Sequence, residues 1–332
     1  GGVVNANLGL GVLAQNSGSS VLNGTSGAGS VQINGGTLTL GSSERLADTA
    51  SLLVGNGATL TLNGGESVGF ANLSGTLGGT GTLTAVNYQL NGATVNADMG
   101  SGNLFQIGGI SILNGTSAAS FIGVNGGNLT LGANERLDNG ATLSVNVGGT
   151  LNLQGFDETV DYASISGQLD GSGTLTAATY NLNDATVNAN LGAGLLTQSA
   201  GTSTLNGTAA AGSVVVSGGS LELGASERLA DNAEVNILTA GTLDLGAYSE
   251  TVGSILISGT LNGTGTLTAA TPAGNGANYT LNGGTANANL GAGILRVVGN
   301  VSTLNGTSDA NSVLISSGTL TLGASDRLAD TA

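Results

Sequence analysis

Four of the five positively charged residues in this 332-residue chain occupy one recurrent phrase, in which an arginine lies between carboxylates. The phrase reads SERLAD at residues 43–48 and returns with small changes at 134–139, 226–231 and 325–330. Each copy could be a ligand site or a structural corner. An active constellation rarely recurs on every repeat of a protein, so we favour the structural interpretation. The structural repeat landmarks are Arg45, Arg136, Arg228 and Arg327.

The residues around Arg45 predict the form of this corner. Ser43 is a good cap for one short helical turn, Glu44 suits the first turn, and Leu46 would point inward. Arg45 would then form an exposed ion pair with Glu44 and Asp48. Exposed pairs of this kind contribute only about 0–1 kcal/mol each.

Carboxylates offer a second possible chemistry, because paired acids can cleave glycosides. The densest acidic group is Asp157, Glu158 and Asp161. Only one of its positions recurs in step with the repeats, as Glu66, Glu158 and Glu250. The chain has no histidine, and all five of its positive charges are arginines. We therefore expect a solvated acidic corner, no catalytic residues and no enzymatic activity.

The sequence predicts neither a metal nor a cofactor. Histidine and cysteine, the usual ligands of zinc, iron and copper, are both absent. The calcium-binding solenoid pattern appears once, as LDGSG with Asp170, and its carboxylate has no counterpart in the other repeats. In a chain with 61 glycines, stray matches to nucleotide-binding loops carry almost no weight.

Aromatic and hydroxyl side chains suggest two kinds of binding surface. Tyr88, Tyr180 and Tyr279 occur once per repeat and are candidates for glycan contact, since an exposed ring can stack on a pyranose. The alternative is that they pack at a coil corner. Thr-x-Thr phrases could order water as in an ice-binding solenoid, but they lapse over much of each repeat and also fit ordinary outward-facing strand residues.

A period of about 92 residues organises the chain. VNANLG at residue 4 returns in variant form at 95, 187 and 286, and LNGTS at 22 returns at 113, 205 and 304. The repeat units are roughly 1–91, 92–183, 184–282 and a partial 283–332. The last step is seven residues longer, because of a polar, glycine-rich insertion at 271–277 that we place on a surface loop.

A shorter rhythm lies inside each repeat. Segments such as TLTL at 37–40 and ATLTL at 58–62 alternate aliphatic and small polar residues, with Asn-Gly turns between them. The sequence predicts an all-β fold, a right-handed parallel β-helix (β-solenoid) rod continuous over 1–332, with four to five coils of about 20 residues per repeat. A meander or sandwich is the competing prediction, but it has no reason to repeat every two strands.

Charge and hydropathy narrow the range of partners. The net charge of −15 argues against nucleic acid and anionic membranes, because no basic patch exists to neutralise phosphates. No apolar run is long enough to insert in a membrane, and the first residues lack the features of a signal peptide. The chain begins and ends within repeats, so we expect it to be part of a longer protein.

Three stretches resemble the passenger rods of large exported bacterial proteins: residues 44–69, 227–253 and 171–194. Essentially the whole chain resembles filamentous-haemagglutinin-like exoproteins of two-partner secretion, autotransporter passengers and biofilm-matrix adhesins. The resemblance implies an extracellular stalk at the bacterial cell surface that mediates cell-cell or cell-matrix attachment. Its implied partners are exopolysaccharide, neighbouring adhesins and an outer-membrane secretion protein. An ice-binding solenoid and a β-helical polysaccharide-degrading enzyme remain the alternatives.

Overall fold

The computed structural model describes residues 1–274 and 276–330. All regular secondary structure in this described part is β-strand, and the strands pair in parallel with strands one coil away. The chain divides into two compact units, Gly1–Ala163 with Gly167–Gly173, and Ser164–Ser166 with Thr174–Ala332. Each unit is a parallel β-solenoid, as the alternating sequence pattern predicts. The right-handed sense of the coil stays a prediction.

Most strands are short because each spans one side of a coil, whereas four strands of 10 or 11 residues continue through a corner. In the first half of the chain they are β1 Gly2–Val4, β2 Val12–Gln15, β3 Ser19–Leu22, β4 Ser30–Ile33, β5 Gly36–Leu40, β6 Ser51–Val54, β7 Ala58–Leu62, β8 Glu66–Leu73, β9 Thr76–Gly79, β10 Thr82–Asn91, β11 Thr94–Val95, β12 Asp98–Met99, β13 Asn103–Gly108, β14 Ile110–Leu113, β15 Phe121–Val124, β16 Gly127–Leu131, β17 Thr142–Val145, β18 Gly149–Asn152 and β19 Glu158–Ile165.

The second half continues in the same manner. Its strands are β20 Gln168–Asp170, β21 Thr174–Asn183, β22 Thr186–Val187, β23 Asn190–Leu191, β24 Leu195–Ala200, β25 Thr202–Leu205, β26 Ser213–Leu223, β27 Glu234–Asp244, β28 Glu250–Val252, β29 Ser254–Ile257, β30 Thr260–Asn262, β31 Thr266–Ala269, β32 Tyr279–Leu281, β33 Thr285–Ala286, β34 Asn289–Leu290, β35 Ile294–Val297, β36 Val301–Leu304, β37 Ser312–Ile315 and β38 Thr319–Leu322.

In the first unit, one inward column runs through six successive coils. It contains Leu38, Leu60, Leu77, Val95, Leu113 and Leu131, each in register with the next. The usual coil is 18 residues long, which is also the separation of the stacked Asn96 and Asn114. This length is a little shorter than the predicted average. Each fully buried aliphatic side chain contributes about 1.5–3 kcal/mol to folding.

The second unit has an equivalent inward column through β25, β26, β27, β30, β33 and β36. It contains Ser203, Leu221, Leu243, Leu261, Ala286 and Leu304. One coil in this unit is 25 residues long, as the hydrogen bond between Asn262 and Asn287 across it shows. That coil holds the segment 271–277, of which position 275 lies outside the described residues. Its seven additional residues match the length of the predicted insertion.

The long coils explain where the SERLAD phrases lie. The coil from Leu38 to Leu60 and the coil from Leu221 to Leu243 each contain one copy of the phrase. These two coils are 22 residues long, four more than the usual coil. The phrase follows one strand and precedes the next, for example between β5 and β6. The additional residues of such a coil therefore fall at a corner, as the sequence predicts.

Candidate functional site

The SERLAD corners are non-helical turns. Glu44, Glu135, Glu227 and Asp326 have φ between 51° and 57°, in the left-handed region. Successive residues of a right-handed helix cannot adopt this conformation, so the predicted helical cap at Ser43 is wrong. The predicted inward direction of Leu46 is confirmed, since its side chain is buried. The corner is thus a strained, repeated backbone shape that needs specific partners to hold it.

Arginine supplies the first of these partners. The Arg45 side chain donates from Nε to the carbonyl of Ser43, at 2.9 Å, and from Nη1 to the carbonyl of Asn23, at 2.7 Å. Arg136 and Arg228 repeat both contacts in their own coils. The predicted ion pair with Glu44 and Asp48 is therefore wrong, because the guanidinium binds backbone carbonyls of its own corner and of the preceding coil.

A buried glutamate from the following coil supplies the second partner. Glu66 is 1% exposed, and its Oε2 and Oε1 atoms accept hydrogen bonds from the backbone N–H groups of Arg45 and Leu46, at 2.7 and 2.8 Å. Glu158 and Glu250 accept the same pair of bonds one and two repeats later, at 2.8 to 3.0 Å. We call each set of corner, arginine and glutamate a clamped corner.

The solvated acidic corner predicted from the sequence is therefore wrong for these three glutamates. Each occupies an inward position of its strand, two residues before a buried valine in Glu66 and Val68 or in Glu158 and Val160. The strand alternation could have revealed this position. The usual expectation that glutamate faces water outweighed it.

Burial changes the acidity of the three carboxyl groups. It raises the pKa of Glu66, Glu158 and Glu250 to about 7 from the ordinary 4.5, although the two backbone donors at each site lower it. A raised carboxyl pKa can mark a general acid, but both oxygens of Glu158 already bind the backbone. The neighbouring Asp157 and Asp161 are exposed. This group therefore has no free buried acid to pair with a solvent-facing base.

The three repeated tyrosines are interior residues. Tyr88 is 0% exposed, and its hydroxyl donates to the carbonyl of Leu83 and accepts from the backbone N–H of Ala85, at 2.9 and 2.7 Å. Tyr180 and Tyr279 make the equivalent contacts and are equally buried. A ring without exposed surface cannot stack on a sugar, so the structure contradicts the candidate glycan contact and agrees with the alternative that these tyrosines are packed. These tyrosines brace the coil from inside.

Asparagine ladders explain why two sequence landmarks keep the same period. Asn23 donates from Nδ2 to Oδ1 of Asn5 in the coil below, at 2.8 Å. The same bond joins Asn114 to Asn96, at 2.7 Å, and recurs in the third and fourth repeats. The VNANLG and LNGTS phrases are therefore neighbours in adjacent coils, joined through the side-chain amides of their asparagines.

The threonines form a column but not a broad array. Thr37, Thr59, Thr76 and Thr94 lie in register on successive coils. The next member of this column is Ile112. A second threonine column beside the first is paired over only two of these coils, Thr39 with Thr61, before glycine replaces it.

Shallow grooves lie beside two equivalent corners. A groove of about 350 Å³ is lined by Thr116, Ser117, Glu135 and Asp138, among others. In the second unit, a groove of about 310 Å³ has Thr307, Ser308 and Asp326 at equivalent places, and Arg327 also lines it. Among residues 1–274 and 276–330, no three potential metal-binding side chains converge. Both grooves present acidic and hydroxyl groups to water.

Comparison with known proteins adds no further constraint. No protein-family model, curated protein or solved structure matches the chain. In the described part of the chain, no helix has the length and apolar character needed to cross a membrane. By fold, the two units are parallel β-solenoids whose usual coil is 18 residues long.

Proposed function

We propose that this chain is a structural and adhesive stalk segment of a secreted bacterial surface or biofilm-matrix adhesin, of the filamentous-haemagglutinin-like type. The observation that supports it most is the clamped corner, repeated at Glu66, Glu158 and Glu250. Each clamp joins one coil to the next and commits a costly buried carboxylate to that task. Such an arrangement suits a protein whose work is to hold its coils in fixed succession.

Export is compatible with this architecture. Strand pairing joins each coil to the coils immediately before and after it, as in the series from Thr37 to Thr59 and Thr76. A chain built of neighbour contacts can fold progressively as it emerges from a secretion protein in the outer membrane. The proposed location is therefore the bacterial cell surface or the extracellular matrix.

The proposed partners are exopolysaccharide or neighbouring cell-surface adhesins, engaged through many weak contacts. Linked weak contacts can raise overall avidity by roughly 10²–10⁴-fold without any single strong site. The shallow, polar grooves suit contacts of this kind better than the capture of one small molecule. We propose no catalytic role, since the buried glutamates serve the backbone.

The test is attachment by beads that carry the purified chain. Beads are incubated with bacterial cells and with immobilised matrix polysaccharide, and detachment is measured under flow. The matched control carries Leu129→Asp and Leu131→Asp in the first unit and Leu221→Asp and Leu243→Asp in the second, which place charges in the buried stack of each unit and disrupt both at nearly the same composition. Saturable attachment by the folded chain alone is expected.

Equal detachment of folded-chain beads and control beads would remove the adhesive part of the proposal. Two further assays address the alternatives. Release of soluble sugar from the polysaccharide by the purified chain would contradict the non-enzymatic role. A gap between the freezing and melting temperatures of a solution of the chain would favour the ice-binding alternative. We expect no such gap, because the threonine column is interrupted.

A further inference from the structure

One coil of the first unit carries apolar side chains on its outside. Ile107, Ile110 and Ile112 are 41%, 67% and 38% exposed, and the half-exposed Phe105 precedes them on the same coil. The half-exposed Phe121 lies on the next coil, on the strand that pairs with that of Phe105. We call these five residues the apolar ridge. Exposed clusters of apolar side chains mark interaction sites in soluble proteins.

The two phenylalanine rings form a defined surface. Their centroids are 5.8 Å apart with an interplanar angle of 51°, a favourable tilted arrangement. Gly123 lies buried beside them, and a Cβ atom there would come within 3.0 Å of Phe105 Cδ1 and 3.2 Å of Phe121 Cε1. The glycine therefore leaves room for both rings to lie close against the sheet.

The fold does not require this apolar character. In the third repeat, the four positions that correspond to Phe105, Ile107, Ile110 and Ile112 are all polar: Thr197, Ser199, Thr202 and Thr204. In the first repeat they are Ala14, Asn16, Ser19 and Val21. The strand registers on either side are the same in the second and third repeats. The ridge is thus a local addition to a coil that also forms with polar residues.

Charge points to the occupant of the ridge. Although the chain carries a net charge of −15, residues 99–134 contain no ionisable side chain. A symmetric contact places identical residues of two copies against each other, so like charges there would repel. An uncharged apolar face avoids this repulsion, whereas a charged partner would find no complementary group on it. The outward neighbours Asn87 and Asn103, linked at 3.0 Å, add amide groups suited to a polar rim.

We propose that the apolar ridge binds the same ridge on a second copy of this chain, in a two-fold symmetric dimer. Phe105 and Phe121 supply the centre of the contact, and the isoleucines extend it around the coil. This inference goes beyond the proposed function and does not depend on it, since pairing of copies is measured without cells or polysaccharide.

Sedimentation velocity of the full chain over a wide concentration range tests the proposal. The ridge variant combines Phe105→Thr, Ile107→Ser, Ile110→Thr and Ile112→Thr, which are the residues of the third repeat. We expect a concentration-dependent dimer of the wild-type chain and dimerisation at least about tenfold weaker in the variant. Val301→Thr, at an exposed apolar residue of the second unit, should dimerise as the wild type does.

Cross-linking adds a positional readout, because the chain has no cysteine. Phe105→Cys, at the centre of the proposed contact, should give an oxidised dimer of two copies, whereas Thr197→Cys, at the equivalent position of the third repeat, should remain monomeric. A wild-type chain that stays monomeric at every concentration overturns the proposal. Equal dimerisation of the ridge variant overturns it too. If the wild-type chain is monomeric and binds an uncharged glucan, and the ridge variant does not bind it, then the occupant of the ridge is a neutral polysaccharide instead of a second copy.

Discussion

The clamped corners recur in successive repeats, whereas the apolar ridge does not. Glu66, Glu158 and Glu250 occupy identical interior surroundings in successive repeats. The ridge at Phe105 to Ile112 occurs once, and hydroxyl side chains replace it in the third repeat. The inside of the solenoid is therefore fixed by stacking, while the outside is free to differ from coil to coil. Individual functions are to be sought among residues that do not repeat.

The largest expected difference between these regions is in pH dependence. The pKa of the three buried glutamates is about 7 in the folded chain and 4.5 when exposed, so the folded state holds protons that the unfolded state releases between these values. The stability that these three protonated carboxyl groups contribute is fully present below about pH 4.5 and is lost as pH rises through about 7. Each unit of pKa difference is worth about 1.4 kcal/mol per site.

Thermal unfolding at pH 5, 6, 7 and 8 measures this effect. We expect the midpoint to fall steadily over the series, and to fall less in a chain carrying Glu66→Gln, Glu158→Gln and Glu250→Gln. A midpoint that rises with pH would show that the backbone donors outweigh burial at these carboxyl groups. The ridge variant contains no titratable change and should follow the wild-type curve.

Removal of a single clamp comes next in size. Glu158→Ala leaves the N–H groups of Arg136 and Leu137 buried without a partner, which we expect to cost about 2–4 kcal/mol of unfolding free energy. Chemical denaturation gives the overall loss, and hydrogen exchange at these two amides locates it. The control is Asp161→Ala, an exposed carboxylate of the same strand, with an expected change of about 0.5 kcal/mol or less.

Removal of an internal phenol should have a smaller effect. Tyr180→Phe keeps the buried ring but removes the hydroxyl that bridges Ala177 and Leu175, at an expected cost of about 1–3 kcal/mol. Denaturant titration measures the unfolding free energy of this variant, and Tyr162→Phe, at a half-exposed tyrosine, is the control. If both variants unfold alike, the hydroxyl bridge contributes nothing to stability.

The smallest expected effect is at the ridge. Ile110→Thr should change the unfolding free energy by no more than about 0.5 kcal/mol, because the side chain is 67% exposed. Ile122→Thr, at a fully buried position of the adjoining coil, should cost about 2–4 kcal/mol. A loss at Ile110 as large as that at Ile122 would mean that the ridge belongs to the folding core.

The sequence predicts the fold better than the roles of individual polar residues. Alternation in segments such as 37–40 and 58–62 identifies inward leucines, because a strand turns successive side chains to opposite faces. The same alternation places Tyr88 inside, two residues before the buried Leu90, and Glu66 inside before Val68. The general preference for exposed glutamate led the prediction away from the position of Glu66, whereas for the tyrosines both an exposed and a packed position stayed open.

The backbone partners of those residues could not be predicted from one sequence. The carboxylate of Glu66 binds amides 20 and 21 residues earlier, so its role depends on which coil corner lies beneath it. The ridge depends in the same way on register, which places Phe121 beside Phe105 although the two belong to different coils. Contacts between coils are set by stacking, and a single strand pattern does not specify them.

The longest coil has a consequence for the evolution and engineering of this architecture. The insertion at 271–277 leaves Tyr279 bonded to Ala269, and Asn278 links the carbonyl of Ala269 at 2.7 Å to the N–H of Ile294 at 2.9 Å. The coil closes behind the insertion, so new sequence can enter there while the stack beneath it keeps its register. A foreign epitope grafted into this loop would be displayed outward, and the solenoid would serve as its carrier.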